Sequence, residues 1–136
     1  MPLWNYAQLQ SHIKKKSFSS VYGLISEEYF LLEHVINEFK TTLLDSESIE
    51  FNYQSFYAGE DNLSQIRKAV EMYPLLHPKR LVVLHQAHQL KERDWDQLTP
   101  LLEKPISTTV LIITTEKIDK RKKSYKTFFS RVFSLV

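Results

Sequence analysis

Two uninterrupted apolar runs constrain this chain more than any other feature: Leu81-Val82-Val83-Leu84 and Val110-Leu111-Ile112-Ile113. A strand with one wet face alternates apolar and polar residues. A run without alternation, bounded by turn residues, is a strand covered on both sides. Such strands belong to parallel sheets, and right-handed crossover helices join them. The expected fold class is therefore α/β, with helices on both faces of a central sheet.

The other segments fit that scheme. Residues 3–15 read as a helix with Tyr6, Leu9 and Ile13 on one side, and residues 18–25 as a first strand. Residues 28–43 carry Leu32, Val35, Ile36, Phe39 and Leu43 at helical spacing. Ile49, Phe51 and Tyr53 alternate with polar neighbours, which predicts a strand over 49–56. The turn at Gly59-Glu60-Asp61-Asn62 feeds a helix with Leu63, Ile66, Val70 and Tyr73 inward. Asn62 or Asp61 caps it, and Pro74, which has no amide hydrogen, ends it. Residues 92–103 form a helix around Trp95, Leu98 and Leu102, with Pro100 as a kink site. Asp119 caps an expected helix over 120–130, and 131–136 read as a last strand. With strands at 80–85 and 108–115, this makes a five-stranded, mostly parallel sheet in a three-layer domain. The 136 residues suit one core. Because the chain stops inside an apparent strand, a longer protein is expected.

Several kinds of chemistry are not supplied. There is no cysteine, hence no disulfide, thiolate nucleophile or cysteine-held metal. The composition is compatible with a reducing cytoplasm, the expected location. No basic flank and apolar run mark a secretion signal at Met1–Gln10, and the apolar runs are too short to span a bilayer. The net charge of +2 is too small for a general polyanion binder.

In a parallel α/β fold, ligands gather at the carboxyl ends of the strands. The first strand-to-helix turn reads Gly23-Leu24-Ile25-Ser26-Glu27-Glu28-Tyr29. A phosphate loop needs glycines, a lysine and a magnesium-binding hydroxyl. This turn has one misplaced glycine and no lysine. Glu27 and Glu28 suit the positive end of a helix but repel phosphate there. The third strand runs into His85-Gln86 rather than the carboxylates that hold magnesium. A degenerate nucleotide site is expected, with no catalytic residue, no nucleotide and no cofactor. His85 and His88 lack a third metal ligand nearby in sequence. Glu27 and Glu28 read as dipole partners rather than as an acid/base pair.

Two features remain as candidates for function. In Pro74-Leu75-Leu76-His77-Pro78 the prolines stiffen a short connection that carries two leucines. Pattern alone leaves two readings open: the leucines plug the domain's own core, or they anchor in a partner's pocket. The second feature is basic. Lys117, Lys120, Arg121, Lys122, Lys123 and Lys126 stand against one acid, Asp119. This run is either a solvated helix face or a contact for DNA phosphates or an acidic partner. A nucleic-acid-binding α/β module acting through residues 117–126 is thus the alternative function.

Four stretches together resemble a known family. Val21-Tyr22-Gly23 through Leu32-Glu33, Phe51-Asn52-Tyr53 to Gly59-Glu60-Asp61, Pro74-Leu75-Leu76-His77-Pro78-Lys79-Arg80-Leu81-Val82-Val83, and Ile118 to Lys126 look like the delta subunit of the bacterial DNA polymerase III clamp loader. The resemblance runs over essentially the whole chain, with Ser26 where the family usually has glycine. It implies an AAA+-like (P-loop-NTPase-like) first domain over 1–136, with a helical lid and a collar domain beyond Val136. It implies no ATP hydrolysis by this chain, which would serve as one subunit of a DNA-polymerizing holoenzyme. It also implies a hydrophobic pair, here Leu75 and Leu76, that enters a pocket of the beta sliding clamp and promotes ring opening. Pro74 and His77 would hold the pair, and Arg67, Lys68 and Glu71 would rest against the clamp. The gamma/tau and delta prime subunits, and primed DNA through the complex, are the other partners implied, with no membrane.

Overall fold

Each layer is set by how its residues divide between the two faces of the sheet. The computed structural model describes residues 4–116. Asn5 opens the first helix, α1 (Tyr6–Lys14): its side chain accepts from the Gln8 amide, and the Gln8 side chain accepts from the Asn5 amide, both at 2.9 Å. Strand β1 (Val21–Ile25) leads to α2 (Tyr29–Leu43). The short helix α3 (Ile49–Asn52), β2 (Tyr53–Tyr57) and α4 (Leu63–Glu71) follow. Then come β3 (Arg80–His85), a 3-10 turn (Ala87–Gln89), α5 (Glu92–Glu103) and β4 (Thr109–Thr115).

The four strands are all parallel, in the order β1-β4-β3-β2. β3 and β4 lie in the middle, as their unbroken apolar runs require, and every residue of both is buried. Their alternate side chains supply two cores. Leu81, Val83, Val110 and Ile112 pack with Leu9, Ile13, Val35, Ile36 and Phe39 from α1 and α2. Val82, Leu84, Leu111 and Ile113 pack on the other face with Ile66 and Val70 of α4 and Trp95, Leu98 and Leu102 of α5. The three-layer α/β architecture is as expected.

Three expectations need correction. The sheet has four strands among the described residues rather than five; residues 131–136 lie outside them. The strand predicted over 49–56 begins only at Tyr53, because Ile49–Asn52 coil into a helical turn after Asp45 Oδ1 captures the Ser48 amide at 2.8 Å. Helix α4 ends at Glu71, where Met72 turns extended (φ −70°, ψ 140°). Tyr73 therefore falls off the helix face and is 82% exposed instead of inward. Pro100 sits inside α5 without ending it; the Lys104 amide still reaches the Pro100 carbonyl at 3.0 Å.

Candidate functional site

The connection from α4 to β3 lies at the amino end of the central strands, opposite the end where parallel α/β folds bind ligands. Pro74 and His77 are half-buried in it, and Pro78 is exposed. Leu75 is 50% exposed and Leu76 is 93% exposed, so neither seals the domain's own core. Leu76 has a left-handed backbone (φ 56°), a region that Cβ makes costly for a leucine. A shallow hollow beside the pair is lined by Asp45, Glu47, Ser48, Phe51, Leu75 and Leu76. Phe51, in the same hollow, is also exposed, as are Met72 and Tyr73 just before Pro74 in sequence.

Buried polar groups hold this tip. Asn52 is fully buried, donates to the Leu75 carbonyl and accepts from the Leu75 amide, both at 2.7 Å. The His77 Nδ1 accepts from the Lys79 amide at 3.2 Å. Arg80, 1% exposed, reaches the Phe51 carbonyl (2.9 Å), the Gln54 Oε1 (2.6 Å) and the Ala69 carbonyl (3.3 Å). Burial pushes its guanidinium pKa down from the ordinary value. Thr109 donates to the Val70 carbonyl at 2.7 Å. Arg80 and Thr109 thus satisfy carbonyls in the last turn of α4, which have no partner further along the helix. Asn52 and Arg80 are functional candidates that the sequence pattern did not single out. The signals present were an asparagine inside an apolar alternation and an arginine at the mouth of a buried strand.

On α4, Ile66, Ala69 and Val70 face the core. Lys68 and Glu71 are exposed, and Arg67 is half-buried with its guanidinium 4.0 Å from Glu71. The Arg67 Nε is buried without a hydrogen-bond partner among the described residues. These three residues therefore share the outer side of the helix that leads to the tip. Lys117, Lys120, Arg121, Lys122, Lys123 and Lys126 lie outside the described residues.

The carboxyl end of the sheet has a small open cleft, lined among others by Ser26, Glu27, Glu33, Tyr57, His85, His88 and Glu116. The Ser26 hydroxyl accepts from the Glu28 amide at 3.0 Å, so one donor at the start of α2 is already occupied. Glu27 and Glu28 are exposed beside it. His85 and His88 both line this cleft and have different partners. His85 stacks on Tyr57 with ring centroids 4.6 Å apart, whereas the His88 Nδ1 accepts from the Glu116 amide at 3.4 Å. Burial lowers the His85 pKa, with Glu33 opposing. Among the described residues no group of three or more side chains is arranged to hold a metal, and no helix is long and apolar enough to cross a membrane.

Comparison with known proteins then bears on identity. The family model for the DNA polymerase III delta subunit matches residues 22–135. The chain is 28% identical over 133 residues to DNA polymerase III subunit delta of Bacillus subtilis, covering 90% of this chain and 38% of that protein. It superimposes on the solved Bacillus subtilis DNA clamp loader delta protein with a TM-score of 0.87 and 26% identity, covering 95% of this chain and 41% of that one. A DNA polymerase III gamma subunit-related protein from Thermotoga maritima shares the fold, with a TM-score of 0.68 at 18% identity over 95% of this chain and 45% of that one. The chain thus spans less than half the length of these relatives.

Proposed function

Because this chain belongs to the DNA polymerase III delta-subunit family, we propose that it grips the beta sliding clamp through Leu75 and Leu76 and so favours opening of the ring. The observation that carries this is the exposure of the pair, 50% and 93%, on a short connection that buried groups hold in place. Soluble domains keep large apolar patches for partners. Full burial of a leucine contributes about 1.5–3 kcal/mol before association costs, so two leucines suit an anchor of moderate strength. Arg67, Lys68 and Glu71 on the outer side of α4 supply the polar rim around it, and Pro74 and His77 its base.

Ring opening on this reading needs differential affinity only. A clamp protomer that binds the tip better in its relaxed curvature is shifted toward that curvature. No nucleotide is consumed in this step, in keeping with Glu27 and Glu28 at the start of α2 where a phosphate would sit. ATP would act elsewhere, in sister subunits of the loader. The basic run Lys117–Lys126 is assigned to primed DNA or to a neighbouring subunit, and neutralising Lys120–Lys123 should lower the salt dependence of DNA binding by the loader.

The test is the double variant Leu75→Ser/Leu76→Ser in the intact protein. Binding to the cognate clamp should fall by roughly two orders of magnitude, from the lost apolar burial. Because the leucines lie outside the core, thermal unfolding should hardly change. Unchanged affinity in the folded double variant removes the proposal.

A further inference from the structure

We infer that Asn52 is the positioning residue of the leucine tip: its buried amide fixes the Leu75 backbone so that both leucines are presented before any partner arrives. The inference rests on the clamp-gripping reading above and adds a residue that makes no contact with the partner itself.

The geometry carries it. A short exposed connection with its apolar side chains in solvent has little packing to define its shape. Leu76 also occupies a left-handed backbone (φ 56°), which is unfavourable for a residue with a Cβ. Such a conformation persists only where the surroundings over-determine it. Two hydrogen bonds of 2.7 Å from one fully buried side chain, to the amide and the carbonyl of the same residue, supply that constraint immediately before Leu76. The Asn52 amide pairs with Leu75 as a neighbouring strand's peptide would. Only asparagine fits: aspartate lacks the donor and sets an oxygen against the Leu75 carbonyl, and an apolar residue leaves two backbone groups unpaired. Asn52 is itself held firmly, because the preceding Phe51 carbonyl accepts from the buried Arg80 at 2.9 Å. A tip ordered in advance loses less conformational entropy on docking, and the saving is read as affinity.

The experiment compares the affinity of the intact protein for its cognate clamp among Asn52→Ala, Asn52→Asp, Leu75→Ser/Leu76→Ser and Val35→Ala. The last is a destabilising control in the α2 core. Asn52→Ala is expected to bind about tenfold more weakly. Asn52→Asp is expected to be at least as impaired, and Val35→Ala to bind normally despite its lower stability. Amide exchange at Leu75 should accelerate in Asn52→Ala, which removes the acceptor of that amide, and not in Val35→Ala, a local signature that general destabilisation would not give. If the alanine variant does not fold, Asn52→Asp, which keeps the acceptor of the Leu75 amide and loses the donor to its carbonyl, takes its place with the same loss expected. Normal binding by the Asn52 variants, with binding abolished in the double serine variant, overturns the positioning role and leaves the anchor standing. Normal binding by the double serine variant sinks the anchor and this inference together.

Discussion

Arg80 places a permanent charge at the bottom of the candidate site with only 1% of its surface exposed, and its bonds go to neutral oxygens on α3, β2 and α4. Unlike a surface ion pair, this group holds three elements in register, and removing it strands buried carbonyls. Arg80→Leu should therefore cost about 2–4 kcal/mol in urea unfolding; an unchanged midpoint would contradict that bracing role. The exposed leucines behave oppositely. They lie outside the core of the free chain, so their loss should be read mainly in binding. The sequence made Leu75 and Leu76 visible as an apolar pair between prolines. It did not reveal Asn52 or Arg80, because polar residues within an apolar pattern are ordinarily assigned to the solvent side.

At the scale of elements, Ile49–Asn52 is where pattern reading and structure part. Ile49, Phe51 and Tyr53 recur at a spacing of two, the signature of a strand. In the helical turn that forms instead, Ile49 and Asn52 share the inner face, three residues apart. Asn52 thereby goes inward and Phe51 outward, 53% exposed, the reverse of the strand reading. Four residues are too few for period to decide between helix and strand, and the local capture of the Ser48 amide by Asp45 decided it. The long elements were legible because β3, β4 and α2 each carry a pattern that only one packing satisfies. The end of α4 depends on tertiary partners that no local pattern announces. Thr109→Val, which leaves the Val70 carbonyl without the 2.7 Å bond, should destabilise the domain by about 1 kcal/mol. A thermal midpoint equal to that of the parent would argue that this bond does not close the helix end.

At the scale of the whole molecule, the domain has two distinct ends, with the apolar tip at the amino end of the sheet and the acidic cleft at the other. The domain also carries a pH response, through His85 at the cleft and His12 on α1. Burial holds the His85 pKa below its ordinary 6.5, with Glu33 opposing, and burial followed by the Lys15 charge does the same to His12. A histidine kept neutral by folding takes up its proton more readily in the unfolded chain. Stability is therefore full above pH 6.5 and declines as the pH falls below it. His85→Phe, which can keep a ring on Tyr57, should flatten part of the decline as the pH falls through and below 6.5; an identical slope in parent and variant would contradict this. The central claim concerns the other end, and cross-linking tests it most directly. A photoreactive side chain at position 76 of the intact protein, irradiated with the cognate clamp, should form an adduct within an apolar pocket of the ring. The same probe at Gln97, exposed on α5, should form none. Cross-linking from position 97 but not from 76 would contradict the clamp-gripping role of the leucine tip.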